Sequence, residues 1–109
     1  MEKQINYRHK RWAKHFDEID LEIARASLIL QVRILDPGVI ERVLSKDASV
    51  CGAYQEKEFD KLRNLLMMHY SDRAKAVVVL GPEEAMQLMR ETVARLQQRV
   101  GDRLGKPAA

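Results

Sequence analysis

WAKHFDEIDLEIARASLILQVRIL, residues 12–35, is the stretch that decides the fold. At about 100° per residue it carries two apolar seams on opposite sides of one helix. Trp12, Phe16, Ile19, Ile23, Ala26, Leu30 and Ile34 make the first, in steps of three and four. Leu21, Ala24, Leu28, Val32 and Leu35 make the second, about half a turn away. Charge is confined to the lane between them: Glu18, Glu22, Arg25 and Arg33, with Glu22 and Arg25 spaced to pair across one turn. A helix on the surface of a core needs one stripe. A helix with two must be covered on both sides, by its own bundle or by a second copy of the chain. The second seam, Leu21, Ala24, Leu28, Val32 and Leu35, is therefore the expected self-association surface of a homodimer.

Working outward, the patterning predicts an all-α fold. It is a small bundle of four main helices at roughly 12–35, 38–46, 55–70 and 83–104, with a long first helix and completed by dimerisation. Asp36-Pro37-Gly38 ends the first helix, because the residue before a proline leaves the helical region. Asp36 can then cap a second helix that has Pro37 at its first position. Val39, Ile40, Val43 and Leu44 give that helix one apolar face. Residues 46–54 read as a loop. Phe59, Leu62, Leu66, His69 and Tyr70 share the apolar side of the third helix. Continuing its phase would bring Arg73 into the middle of that side, so a break near Ser71-Asp72 is expected. A short fifth helix would follow at 72–80. Val77-Val78-Val79 would suit a strand equally, but a lone strand has no partner within this chain. Gly81-Pro82-Glu83-Glu84 reads as a stop and a start. Ala85, Met89, Val93, Leu96 and Val100 stripe the last helix, with Glu91 and Arg95 as a supporting pair.

The 109 residues suit one helical domain, 1–109, with a basic N-terminal arm (1–11) and a short flexible tail (105–109). Hydrophobic content of 46% with 32% charged residues fits a folded chain rather than a disordered one. No apolar run approaches the ~20 residues that span a bilayer, so no membrane insertion is expected. The start of the chain lacks the pattern of a secretory signal. The single cysteine, Cys51, excludes an internal disulfide and points to a reducing compartment; a cytoplasmic location is expected. Net charge is +3 and unevenly placed. Residues 1–16 hold five Lys/Arg against one Glu, residues 17–60 five against ten acids, and residues 61–109 nine against five.

Candidate chemistry is sparse. His9, His15, His69 and Cys51 are scattered, with no metal-ligand spacing, and Cys51 has no partner base in view. Neither catalytic residues, metal ligands nor a cofactor is expected. Among polar residues only Arg33, Arg73 and His69 fall near apolar faces; a histidine so placed is usually a core residue with satisfied nitrogens. In the basic arm, Arg8, Lys10, Arg11 and Lys14 are interleaved with Tyr7 and Trp12, a pattern able to hold nucleic acid or an anionic surface. Trp12 belongs to a protein-facing seam, which makes this the alternative. A helix-turn-helix reading of 37–70 is disfavoured by its long connection and by Glu56 and Glu58 opening the second helix. The run FDEIDLEIARASLILQVRI resembles the first helix of the helical chorismate mutases, over that helix alone. The later helices show no matching run of cationic and amide site residues, so no catalytic residue is carried over. The expected role is protein–protein contact and self-association, with anion binding by the arm as the alternative and a small helical enzyme third.

Overall fold

The computed structural model describes residues 2–105, with side chains over 8–47 and 49–101. Its elements run α1 (Glu2–Leu30), α2 (Pro37–Leu44), a single 3-10 turn (Ala48–Val50), α3 (Glu56–Leu80) and α4 (Pro82–Gly105). The chain is a rod of 52 × 24 × 20 Å. α1, α3 and α4 form its body, α1 packing on both of the others, and α2 packs against α3. The ion pairs set the directions. His9 meets Glu84 and Asp20 meets Arg95, so α1 and α4 run parallel. His15 meets Asp72 and Glu22 meets Lys61, so α3 runs antiparallel to α1.

α1 begins at Glu2, so residues 2–11, expected as an arm, belong to the helix; Met1 and residues 106–109 of the expected tail lie outside the described residues. At the other end α1 stops at Leu30, not at 35. Gln31 turns left-handed (φ 57°), its N–H bonds the Leu28 carbonyl at 3.3 Å, and the Val32 N–H bonds the Ser27 carbonyl at 3.1 Å. These two bonds define a Schellman cap. It redirects Val32 and Ile34, both buried, into the same core that Ile23 and Leu30 enter. Lys46 (φ 61°) ends α2 the same way, with Lys46 N–H on Val43 and Asp47 N–H on Arg42. A non-glycine residue in this conformation costs about 1 kcal/mol or more. Gln31→Gly is therefore expected to raise stability by about 1 kcal/mol, read as a higher urea midpoint at unchanged slope. A lower midpoint would show that the Gln31 side chain stabilises the turn.

The remaining helix ends use side chains. Asp36 accepts the Gly38 N–H at 2.9 Å and Pro37 occupies the first turn of α2, as its sequence predicts. Gln55 accepts from the Gly52 N–H and donates to the Ile29 carbonyl, and Arg63 donates to the Leu44 carbonyl. Each of the last two satisfies an orphan carbonyl in a final helical turn. Gly81, at φ 91°, separates α3 from Pro82 at the start of α4.

α3 is one continuous helix of 25 residues, which replaces the expected break at 71–72 and the separate fifth helix at 72–80. Asp72 and Arg73 do not interrupt it, because Asp72 meets His15 of α1 across the bundle and Arg73 bonds His69 one turn earlier on α3 itself. Val77, Val78 and Val79 are helical and exposed, which removes the strand reading. Among the described residues no helix is long and apolar enough to cross a membrane.

Candidate functional site

The core is divided by charge. One apolar cluster gathers Ile19, Ile23, Leu62, Leu66, Leu96 and Val100 with Val39 and Val43 of α2. The other gathers Phe16, Ala76, Ala85 and Leu88, with Trp12 and Leu80 at its edge. Between them lies a polar layer to which each long helix contributes: Asp20 from α1, His69 from α3, Thr92 and Arg95 from α4. Asp20 and His69 are 0% and 1% exposed.

Burial of a carboxylate demands that its lone pairs be filled. Asp20 Oδ1 lies 3.0 Å from His69 Nε2, and Oδ2 accepts from Arg95 Nε at 3.2 Å and Nη2 at 3.1 Å. On the far side of the imidazole, Arg73 Nε donates to His69 Nδ1 at 2.9 Å. Since an arginine only donates, Nδ1 is an acceptor and the Nε2–H of a neutral ring donates to Asp20. The result is a directed chain, Arg73 to His69 to Asp20, closed by Arg95. Arg95 pairs with Asp20 directly and lies 3.5 Å from Asp17, whereas Arg73 reaches Asp20 only through the His69 ring.

Arg73 stands at the outer end of this chain. Its guanidinium carbon lies 4.4 Å from the Tyr70 ring centroid, a cation–π contact. Both residues line a cleft of about 650 Å³ between α2, α3 and α4. Its walls are apolar, from Ile34, Leu35, Ile40, Leu44, Val93 and Leu96, with Thr92 and His69 at the polar end and Glu41 and Ser45 on the α2 side. A mostly apolar hollow of this size with a few convergent polar groups is the usual form of a small-molecule site. His69 has both nitrogens engaged, so it offers no free base to the cleft.

The second seam is not one continuous face. Ala24 and Val32 are buried in the chain's own core, and Leu35 lines the cleft. Leu21 and Leu28 remain outside, 36% and 45% exposed, and Ile29, which belongs to neither seam, joins them at 51%. Arg8, Lys10, Arg11 and Lys14 are all exposed on α1. Of these, Arg8 and Arg11 share a groove with Trp12, His15, Asp72 and Lys75, while Lys10 and Lys14 do not line it. His15 reaches Asp72 at 2.7 Å.

α1 is held to α4 along its length by charge. His9 stands between Glu84 at 2.9 Å and Glu91 at 3.0 Å. Partial burial pulls its pKa down, but the hydrogen bonds and negative charges of the two glutamates outweigh that and hold it above the usual imidazole value. Glu91 and Arg95, expected to pair with each other, are instead both drawn across to α1, Glu91 to His9 and Arg95 to Asp20. Arg99 reaches Asp17 at 2.5 Å.

Of the polar residues marked in the sequence near apolar faces, His69 and Arg73 meet at the cleft; Arg33 lies elsewhere, beside Val39 and Arg42. Asp20 was missed. Its signal was present: it shares the buried phase of Phe16, Ile23 and Ser27, where an unpartnered acid cannot stay. Cys51 is half-buried against the larger cluster. Among the described residues no three His, Cys, Asp or Glu side chains stand together as a metal site. Compared with known proteins, the chain matches no family model, no curated protein and no solved structure.

Proposed function

We propose that this chain works by contact rather than by chemistry, docking through the outward face of α1 onto a second copy of itself in the cytoplasm. The observation that supports this is the run of large apolar side chains left in water on a helix whose other side is fully packed: Leu21, Leu28 and Ile29, all at least one-third exposed. A pairing about a two-fold axis would set this face against its own copy, the commonest solution for a small homo-oligomer. Glu18 and Arg25 lie exposed on the same side of α1 and give the face both signs of charge, so neither copy repels the other outright.

Leu28→Glu tests it. In the single chain Leu28 is 45% exposed, so a carboxylate there stays hydrated and folding should change by no more than about 0.5 kcal/mol. In a dimer the same carboxylate would be buried against leucine, at a cost of several kcal/mol. Sedimentation at micromolar concentration should find wild type as a dimer and Leu28→Glu as a folded monomer. A wild type that is monomeric throughout, or a variant that still dimerises, overturns the reading.

A second reading, binding of a polyanion at the basic end of α1, is favoured by the convergence of Arg8, Arg11 and Lys75 on one groove beside Trp12. Its signature would be affinity that falls steeply with salt.

A further inference from the structure

We infer that the cleft between α2, α3 and α4 is a receptor for a small amphiphilic monocarboxylate, with Arg73 taking the carboxylate and the aliphatic walls taking the chain. Nothing in the proposed self-association requires such a site, and the two stand or fall separately.

The inference begins with what Arg73 does not do. Its Nε is spent on His69 and its carbon lies over Tyr70, yet its two terminal nitrogens have no partner among the described residues. An arginine held at its inner nitrogen and stacked on a ring has lost most of its rotamer freedom before any ligand arrives. Little further entropy is then lost when the guanidinium accepts a ligand, which is the condition for tight recognition by few contacts. The free pair of N–H edges matches the two oxygens of a carboxylate. The polar layer behind Arg73 supports the same sign of ligand. Asp20 is already shared between His69 and Arg95, and among the described residues no acid pairs with Arg73.

The walls decide the rest of the ligand. Ile34, Leu35, Ile40, Leu44, Val93 and Leu96 offer only dispersion and desolvation, so the body must be aliphatic. Glu41, on the α2 side of the same cleft, opposes a second negative charge and selects a monoanion. Val93, 52% exposed, leaves the hollow open to solvent on the α4 side, which allows a chain to enter lengthwise.

The probe is octanoate, followed by isothermal titration and by amide shifts in a nitrogen-15 spectrum, with octanol and octyltrimethylammonium at the same chain length. Octanoate should bind saturably, one per chain, with shifts concentrated on residues 34–45, 66–73 and 92–96. Octanol and the ammonium compound should each bind at least tenfold more weakly. Arg73→Gln should weaken octanoate at least tenfold and leave octanol unchanged, and Arg73→Lys should fall between. Ile40→Trp, which leaves the polar layer intact and fills the cleft, should abolish binding of all three probes; it serves as the test if Arg73→Gln proves unfolded by circular dichroism. Leu28→Glu should bind octanoate like wild type. The inference is overturned if octanol binds as well as octanoate, if octanoate shows no saturation, or if Ile40→Trp keeps wild-type affinity.

Discussion

Asp20→Ala should lose about 3–5 kcal/mol of folding stability, the largest effect of any polar substitution in the chain. For a domain of this size that is a drop of roughly 15–25 °C in Tm and a large share of the total. The side chain is 0% exposed and accepts three hydrogen bonds. Its removal leaves the buried His69 N–H facing a small cavity without an acceptor, and leaves Arg95 with only the longer 3.5 Å pairing to Asp17. Asp20→Asn should cost nearly as much, because the amide restores the volume but turns an N–H₂ toward one of the donors. The control is Asp17→Ala. Asp17 also pairs with Arg95 and Arg99, but its side chain is 44% exposed and water replaces what is lost. That change should cost less than about 1 kcal/mol. Urea unfolding of the three variants decides the matter, and equal losses at Asp17 and Asp20 would mean that the polar layer is not holding the helices. Arg73 should also lose its anchor in Asp20→Ala, since His69 no longer has a fixed partner behind it. Folding and octanoate affinity should therefore fall together, whereas Asp17→Ala should spare both.

The same layer explains which parts of the fold were legible beforehand. Local chemistry was: Asp36-Pro37 and Gly81-Pro82 announce their helix boundaries because a cap and a fixed φ act within a few residues. The apolar stripe of Phe16 to Leu30 was legible for the same reason, since burial follows helical phase. In α4 Ala85, Leu96 and Val100 are buried as expected, but Leu88 and Thr92 fill the inner phase assigned to Met89 and Val93, and Val93 is 52% exposed. Three features were not. The end of α1 was hidden because Val32 and Ile34 continue the seam pattern while the backbone has already turned at Gln31, a position where glycine is the usual signal. α3 looked broken because Arg73 falls on its inner phase, and one-dimensional periodicity treats a charge there as a fault. Yet Arg73 bonds His69 one turn earlier on the same helix, and tertiary packing supplies His15 of α1 to Asp72. Of the site, His69 and Arg73 stood out in the sequence as polar residues near apolar faces, while Asp20 was hidden among the charges of an acidic run. A two-seamed helix does not by itself require a second chain. Part of its second seam is covered from within, Ala24 by the bundle and Val32 by the capped turn.

Phe16→Ala should be the most damaging apolar substitution, at about 3–5 kcal/mol. Phe16 is 0% exposed and fills the smaller of the two clusters, which has few large side chains to collapse into the space. Its ring lies 5.8 Å from Trp12 in a stacked arrangement and 4.9 Å from His69, so it closes the polar layer from the α1 end. Two readouts follow. The only tryptophan of the chain reports on the loss directly: Trp12 emission should shift to the red in the folded variant, before any unfolding, as water reaches the ring. Stability should be non-additive with Asp20→Ala, because both substitutions remove support from the same imidazole. The double variant should cost at least 1 kcal/mol less than the two single losses added together. Strict additivity would place Phe16 and the polar layer in independent parts of the core. Emission unchanged in Phe16→Ala would show that Trp12 is held by Ala13 and Leu80 rather than by the stacked ring.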